Sequence, residues 1–301
     1  MKRILILVFA LSLGGITHAA DKLNVITTTT DLAWITQEVG GDRVAAEAIA
    51  KGYQDPHFVE PKPSFLLRLR DADLLVVVGL DLEIGWLPPL LDKSRNDRIR
   101  PGNLGYLDVS AGVEVLDRPN GTVDRSMGDV HAMGNPHYWL DPANAIRIAA
   151  QVRDRLSRLR PDDAAYFSAR YNDLANRLNE AHKKWRARLA AHKNTEVVTY
   201  HRSWSNFARR YQLDVVDFVE PKPGVPPSPS HLFQLIRKMK AEKVKVIIVE
   251  PYFDLKTPQS VADKTGAKVV VLYPSVGGRE GLDSYFDVFD YNINALAAAL
   301  R

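Results

Sequence analysis

From Leu23 onward the chain alternates short apolar runs with stretches whose apolar positions recur every three to four residues. Near-continuous apolar runs suit strands covered on both faces, and their alternation with helical patterns is the signature of α/β units with mainly parallel sheets. The pattern predicts strands over 24–28, 74–78, 197–200, 215–218, 244–249 and 268–272. Between Leu80 and Tyr138 it decays, and Pro, Gly and Asn accumulate over 100–136, so this stretch reads as loop-rich.

The strongest periodic signal lies mid-chain. Phe167, Tyr171, Leu174, Leu178, Ala181, Trp185 and Leu189 draw one apolar stripe along a helix. Pro161 followed by Asp162 and Asp163 marks its start, and Lys183, Lys184, Arg186 and Arg188 place cations near the end that the helix dipole favours. At ~1.5 Å per residue, roughly 30 residues make a rod on the order of 45 Å long, enough to join two lobes. An internal echo supports two lobes: Val59-Glu60-Pro61-Lys62-Pro63 recurs as Val219-Glu220-Pro221-Lys222-Pro223, each copy ahead of a helical segment and an apolar strand.

The first twenty residues follow a different pattern. Lys2 and Arg3 precede an apolar run from Ile4 to Leu13 and small residues ending in Ala19-Ala20, the layout of a secretory signal peptide cleaved after Ala19 or Ala20. The run is too short to span a bilayer, which needs roughly 20 residues. With no cysteine there is neither a thiol to carry a lipid anchor nor a disulfide, and the expected location is a periplasm. The expected division is a signal peptide at 1–20, an N-terminal α/β lobe at 21–160, a connecting helix at 161–193 and a C-terminal α/β lobe at 194–301. Without Lys2 and Arg3 the 40 basic residues fall to 38 against 36 acidic ones, a balance that argues against a nucleic-acid partner.

Histidines carry the candidate chemistry. His182 and His192 sit among Lys and Arg on the long helix and read as solvated, and His231 in Pro229-Ser230-His231 reads as a helix-start residue. His57 and His137 share a local pattern, Asp55-Pro56-His57 and Asn135-Pro136-His137, in which proline stiffens the backbone and aims the imidazole. Phe58 and Tyr138-Trp139 follow as candidate dry walls. His201 ends a predicted strand, where open α/β sheets place their ligands. Three neutral imidazoles suit Zn, Cu, Fe or Ni and leave a fourth coordination position open. A zinc hydrolase also has three histidines and a water, with Glu60 or Glu250 as conceivable base, but no His-Glu-x-x-His signature is present.

The whole mature chain resembles the zinc and manganese substrate-binding proteins of bacterial ABC importers, in particular the high-affinity zinc-uptake branch. The resemblance rests on Thr27–Thr30 with Asp31-Leu32, Gly41-Asp42-Arg43-Val44, Asp55-Pro56-His57 with Glu60-Pro61, Gly79-Leu80, Glu83, Trp86, His137-Tyr138-Trp139-Leu140-Asp141-Pro142, His201 with Phe207-Ala208, and Val249-Glu250-Pro251. It implies two α/β lobes joined by one long rigid helix, and a metal in the cleft between them. It implies His57 and His137 as ligands from the first lobe and His201 from the second, so that small lobe movements separate His201 from the other pair. Manganese-type relatives commonly carry Glu at the third position, so His201 tilts the reading to Zn²⁺, captured by a monomer and delivered to a membrane permease. Many members place an Asp ligand after the last strand. Here Leu272-Tyr273-Pro274-Ser275-Val276 offers none, which leaves water, Glu250 or Asp283 for the fourth position. The long His-rich loop of the zinc branch is reduced to a short segment around His131, which reads as a plain loop histidine.

Overall fold

The computed structural model describes residues 21–121, 127–128 and 130–301. The expected signal peptide lies outside them. Two four-stranded sheets are present, each parallel throughout. The first comprises β1 (Leu23–Thr27), β2 (Val44–Ala48), β3 (Leu74–Val77) and β4 (Tyr106–Asp108) in the order β2-β1-β3-β4. The second comprises β5 (Glu196–Thr199), β6 (Asp214–Phe218), β7 (Val246–Val249) and β8 (Lys268–Val271) in the equivalent order β6-β5-β7-β8. Every residue of β3 and β7 is buried, as continuous apolar strands covered on both faces require.

The helices are α1 (Thr30–Gly40), α2 (Pro63–Arg70), α3 (Leu87–Ser94), α4 (Pro142–Leu159), α5 (Ala164–Leu189), α6 (Ser205–Tyr211), α7 (Pro229–Glu242), α8 (Lys256–Thr265) and α9 (Tyr285–Ala299). The predicted rod is α5, entered through a 3₁₀ turn at Pro161–Asp163 and left through another at Ala190–His192. Its stripe is the central packing surface: Phe167, Leu174, Leu178, Trp185 and Leu189 are buried, and α1, α4 and α9 pack around it. One apolar cluster runs through both lobes along this helix, from Val25 and Val76 to Val197, Val246 and Phe289. A separate cluster covers the other face of the first sheet and includes Ile26, Ile49, Val59, Leu75 and Trp86.

The segment after Leu80 is loop-rich as expected but holds two regular elements that the pattern did not show. It contains α3, whose Pro88 and Pro89 sit in the first turn where no intrahelical N–H is needed, and the three-residue strand β4. The strand β2 was also invisible, because VAAEA is rich in Ala, which is depleted in strands. The repeated pentapeptides do not occupy equivalent places. Val219 and Glu220 donate their N–H groups to the carbonyls of Thr199 and Tyr200 at the end of β5, and it is Ile49 and Ala50 that make the matching bonds to Thr27 and Thr28 at the end of β1. The first copy leads directly into α2, whereas the second follows β6 and α7 begins only at Pro229.

Candidate metal centre

His57 lies in the loop between β2 and α2, at the C-terminal edge of the first sheet. Asp55 Oδ1 accepts the backbone N–H of His57 at 3.0 Å and lies 2.5 Å from its Nδ1. Trp86 Nε1 donates to the Pro56 carbonyl at 3.0 Å and fastens the turn from below. His137 repeats this geometry: Asn135 Oδ1 is 2.9 Å from both the backbone N and the Nδ1 of His137. Proline between the two residues narrows the backbone, and the short Asp or Asn side chain then orients the ring. The residue two places before each histidine therefore matters as much as the proline.

His201 is positioned by strand pairing. It follows β5 directly, and Thr199 Oγ1 donates to its carbonyl at 2.7 Å. Parallel pairing with β6 brings Glu220 alongside, where its Oε2 lies 2.8 Å from His201 Nδ1. In all three histidines Nδ1 is thus committed to an oxygen acceptor, which selects the tautomer with a free Nε2 lone pair. One ligand atom from each ring lies within 4.8 Å of the other two. The His57 ring centroid is 5.1 Å from that of His137 and 5.5 Å from that of His201.

The electrostatics fit a neutral His137 ring. Burial, reinforced by the neighbouring His57, His201 and His131, holds His137 well below its ordinary pKa of 6.5. Its Nε2 is buried and has no hydrogen-bond partner among the described residues. Such an atom is costly unless something fills its lone pair. Burial alone would raise Asp55, but its hydrogen bond to His57 and the attraction of that ring outweigh it, and the carboxyl lies below 3.8.

The structure brings a fourth histidine to the cluster. His131 Nε2 lies 3.1 Å from His57 Nε2, with ring centroids 5.1 Å apart, and burial with its histidine neighbours pushes it down to about 3. It is therefore no plain loop residue. Cavities of about 830 Å³ beside His57 and Trp86 and about 440 Å³ beside His137 and His201 meet at its ring.

Other expectations shift. Glu250 is fully buried at the end of β7, and burial pushes it up to about 8, with Ser203 pulling partly back. Asp283 is exposed, as is Glu60. Phe58, 63% exposed, lines the outer side of the site with its ring 6.2 Å from that of His57, while the buried ring of Trp139 lies 5.3 Å from His137 and that of Phe253 6.0 Å from His201. Phe253, Glu220 and the orienting roles of Asp55 and Asn135 were missed, although Asp and Asn stood immediately before each Pro-His pair. Of the surface histidines, His231 falls in the first turn of α7 as expected, with its N–H on Ser228 Oγ, but His182 is half-buried against Tyr211.

The chain is similar to proteins of known role along nearly its whole length. The manganese ABC transporter substrate-binding lipoprotein PsaA of Streptococcus pneumoniae (strain ATCC BAA-334 / TIGR4) is 27% identical over 294 residues, covering 94% of this chain and 91% of that protein. The high-affinity zinc uptake system protein ZnuA of Bacillus subtilis (strain 168) is 26% identical over 295 residues, covering 95% and 90%. A crystal structure of ZnuA superposes with a TM-score of 0.76 at 24% identity, covering 93% of this chain and all of that one, which attests the shared fold. The sequence profile of the periplasmic zinc-uptake complex component A matches residues 25–299. Two parallel sheets about one long helix, with a histidine cluster between them, and this match over nearly the whole described length mean that the chain belongs to the ZnuA family of zinc and manganese substrate-binding proteins of ABC importers.

Proposed function

We propose that this protein captures Zn²⁺ with His57, His137 and His201 and delivers it to the membrane permease of an ABC importer. The observation that carries the reading is the shared wiring of the three rings: Nδ1 is engaged by Asp55, Asn135 or Glu220, and one ligand atom from each ring lies within 4.8 Å of the other two. Three nitrogen ligands with an open fourth position suit tetrahedral zinc. Water is the proposed fourth ligand, because Asp283 is exposed and the ligand atoms that converge belong to the three histidines and not to Glu250. The protein acts in the periplasm as a monomer after loss of residues 1–20, with lobes 21–160 and 194–301 about the 161–193 helix. A transport binding protein has no need of a catalytic base, and the hydrolase alternative falls with the family.

Manganese is the second reading, favoured by the similarity to the manganese-transport protein PsaA. Manganese prefers oxygen-rich sites, whereas this trio is all nitrogen. Calorimetric titration of the metal-stripped protein with Zn²⁺ and Mn²⁺, separately and in competition, tests both. Tight zinc binding that is lost in His57→Ala, His137→Ala and His201→Ala supports the proposal. Preferential uptake of Mn²⁺, or zinc uptake indifferent to all three changes, overturns it.

A further inference from the structure

The segment that carries His137 is bonded to the C-terminal lobe through three residues, Asn135, Trp139 and Asp141. Asn135 Nδ2 donates to the Arg202 carbonyl at 2.7 Å and to Asp117 Oδ2 at 2.9 Å, with Ser205 Oγ farther off at 3.3 Å. Trp139 Nε1 donates to the Pro274 carbonyl at 2.8 Å, and Tyr285 Oη donates to the Trp139 carbonyl at 2.5 Å. Arg210 holds buried Asp141 by two bonds of 2.6 and 2.7 Å. The neighbours of both rings, Tyr138, Trp139 and Leu140 on one side and Trp204 and Phe207 on the other, belong to the apolar cluster that runs through both lobes.

His57 is held differently. Its ring is oriented by Asp55 from within the same loop, and the apolar anchors of that loop, Ile49, Ala50 and Val59, belong to the separate cluster on the outer face of the first sheet. Trp86 ties the loop to its own lobe, and it meets the C-terminal lobe where Gly52 packs on the Val276 backbone. Asn135 also differs from Asp55 in kind. An Asp would orient His137 equally well through Oδ1, but only an amide can accept from His137 and at the same time donate to the residue next to His201.

Building on the zinc-binding reading, we infer that Asn135 is a positioning residue that joins His137 and His201 into one rigid half of the site, so that the ion is admitted and released by displacement of the His57 loop. This reassigns the moving part. His137 travels with His201, and a swing of whole lobes is replaced by a local shift of the loop between β2 and α2.

The test compares wild-type protein with Asn135→Asp. This change keeps the acceptor for His137 but sets a carboxylate against the Arg202 carbonyl and against Asp117 Oδ2. It is therefore made both alone and together with Asp117→Asn, which leaves only the clash with Arg202; faster release must persist in the double variant. The inference expects zinc release to a chelator, followed by stopped flow, to be at least about tenfold faster in the variant. If Asn135 served only to orient its ring, Asp would match or slow the release, because a carboxylate partner makes imidazole a stronger ligand; that result overturns the inference. A second measurement needs no variant. Imidazole ¹⁵N relaxation dispersion in the metal-free wild type should find microsecond-to-millisecond exchange at His57 and none at His137 or His201. Exchange at His137, or none at His57, overturns it as well. Failure of the wild type to bind zinc would remove the proposed function, while the relaxation result would still decide which histidine moves.

Discussion

Glu220 Oε2 and His201 Nδ1 lie 2.8 Å apart, both side chains nearly excluded from solvent. The carboxylate fixes the ring and strengthens its free nitrogen as a donor. Glu220→Gln should weaken zinc binding by about 10–100-fold, the usual cost of losing an outer partner. Competition with a chelating dye measures this directly. An unchanged affinity would mean that ring orientation comes from the backbone alone.

Arg210 and Asp141 form a bidentate pair in which the carboxylate is 1% exposed. Removing one member of such a pair strands a buried charge, at a cost of about 3–5 kcal/mol. Arg210→Met should lower the midpoint of denaturant unfolding accordingly, and Arg210→Met with Asp141→Asn should recover part of the loss. Equal destabilisation of single and double variants would argue against the pairing as the cause.

Gly52 approaches the C-terminal lobe so closely that a Cβ there would lie 1.9 Å from the Val276 carbonyl oxygen. Backbone cannot yield as a flexible side chain can, so Gly52→Ala must shift the His57 loop. A loss of about 1–3 kcal/mol is expected, as for other overpacked sites, together with weaker zinc binding. Thermal unfolding of the metal-free protein and calorimetry read the two effects separately.

Glu250, raised by burial from 4.5 to about 8, gives a pH dependence of known sign. Between these two values the folded state holds a proton that the unfolded state releases. The group's contribution to stability is therefore complete below pH 4.5 and is lost as the pH rises through about 8. Glu250→Gln removes the term. Relative to wild type, the metal-free variant should gain in melting temperature from pH 5 to pH 9, and parallel profiles would refute the account.

Zinc itself should stabilise the protein. At a free concentration one hundred times the dissociation constant, the native state gains about 2.7 kcal/mol. The melting temperature should therefore rise with zinc in wild type and stay flat in His201→Ala.

The alternation of apolar runs with helical periods determined the parallel α/β architecture, and the stripe from Phe167 to Leu189 determined the central helix, because such signals repeat along a few consecutive residues. The three histidines were legible for the same reason: two of them follow a proline that stiffens the backbone, and His201 marks the end of a strand. What depends on distant partners was not legible. Glu220 reaches His201 from 19 residues away only because β5 and β6 pair in parallel. His131 reaches His57 across 74 residues, and Asn135 reaches Arg202 across 67. Those contacts decide how the candidate site is buried and which of its parts can move. They exist only once the two sheets pack about α5, since no local period encodes which loops a packed core will bring together.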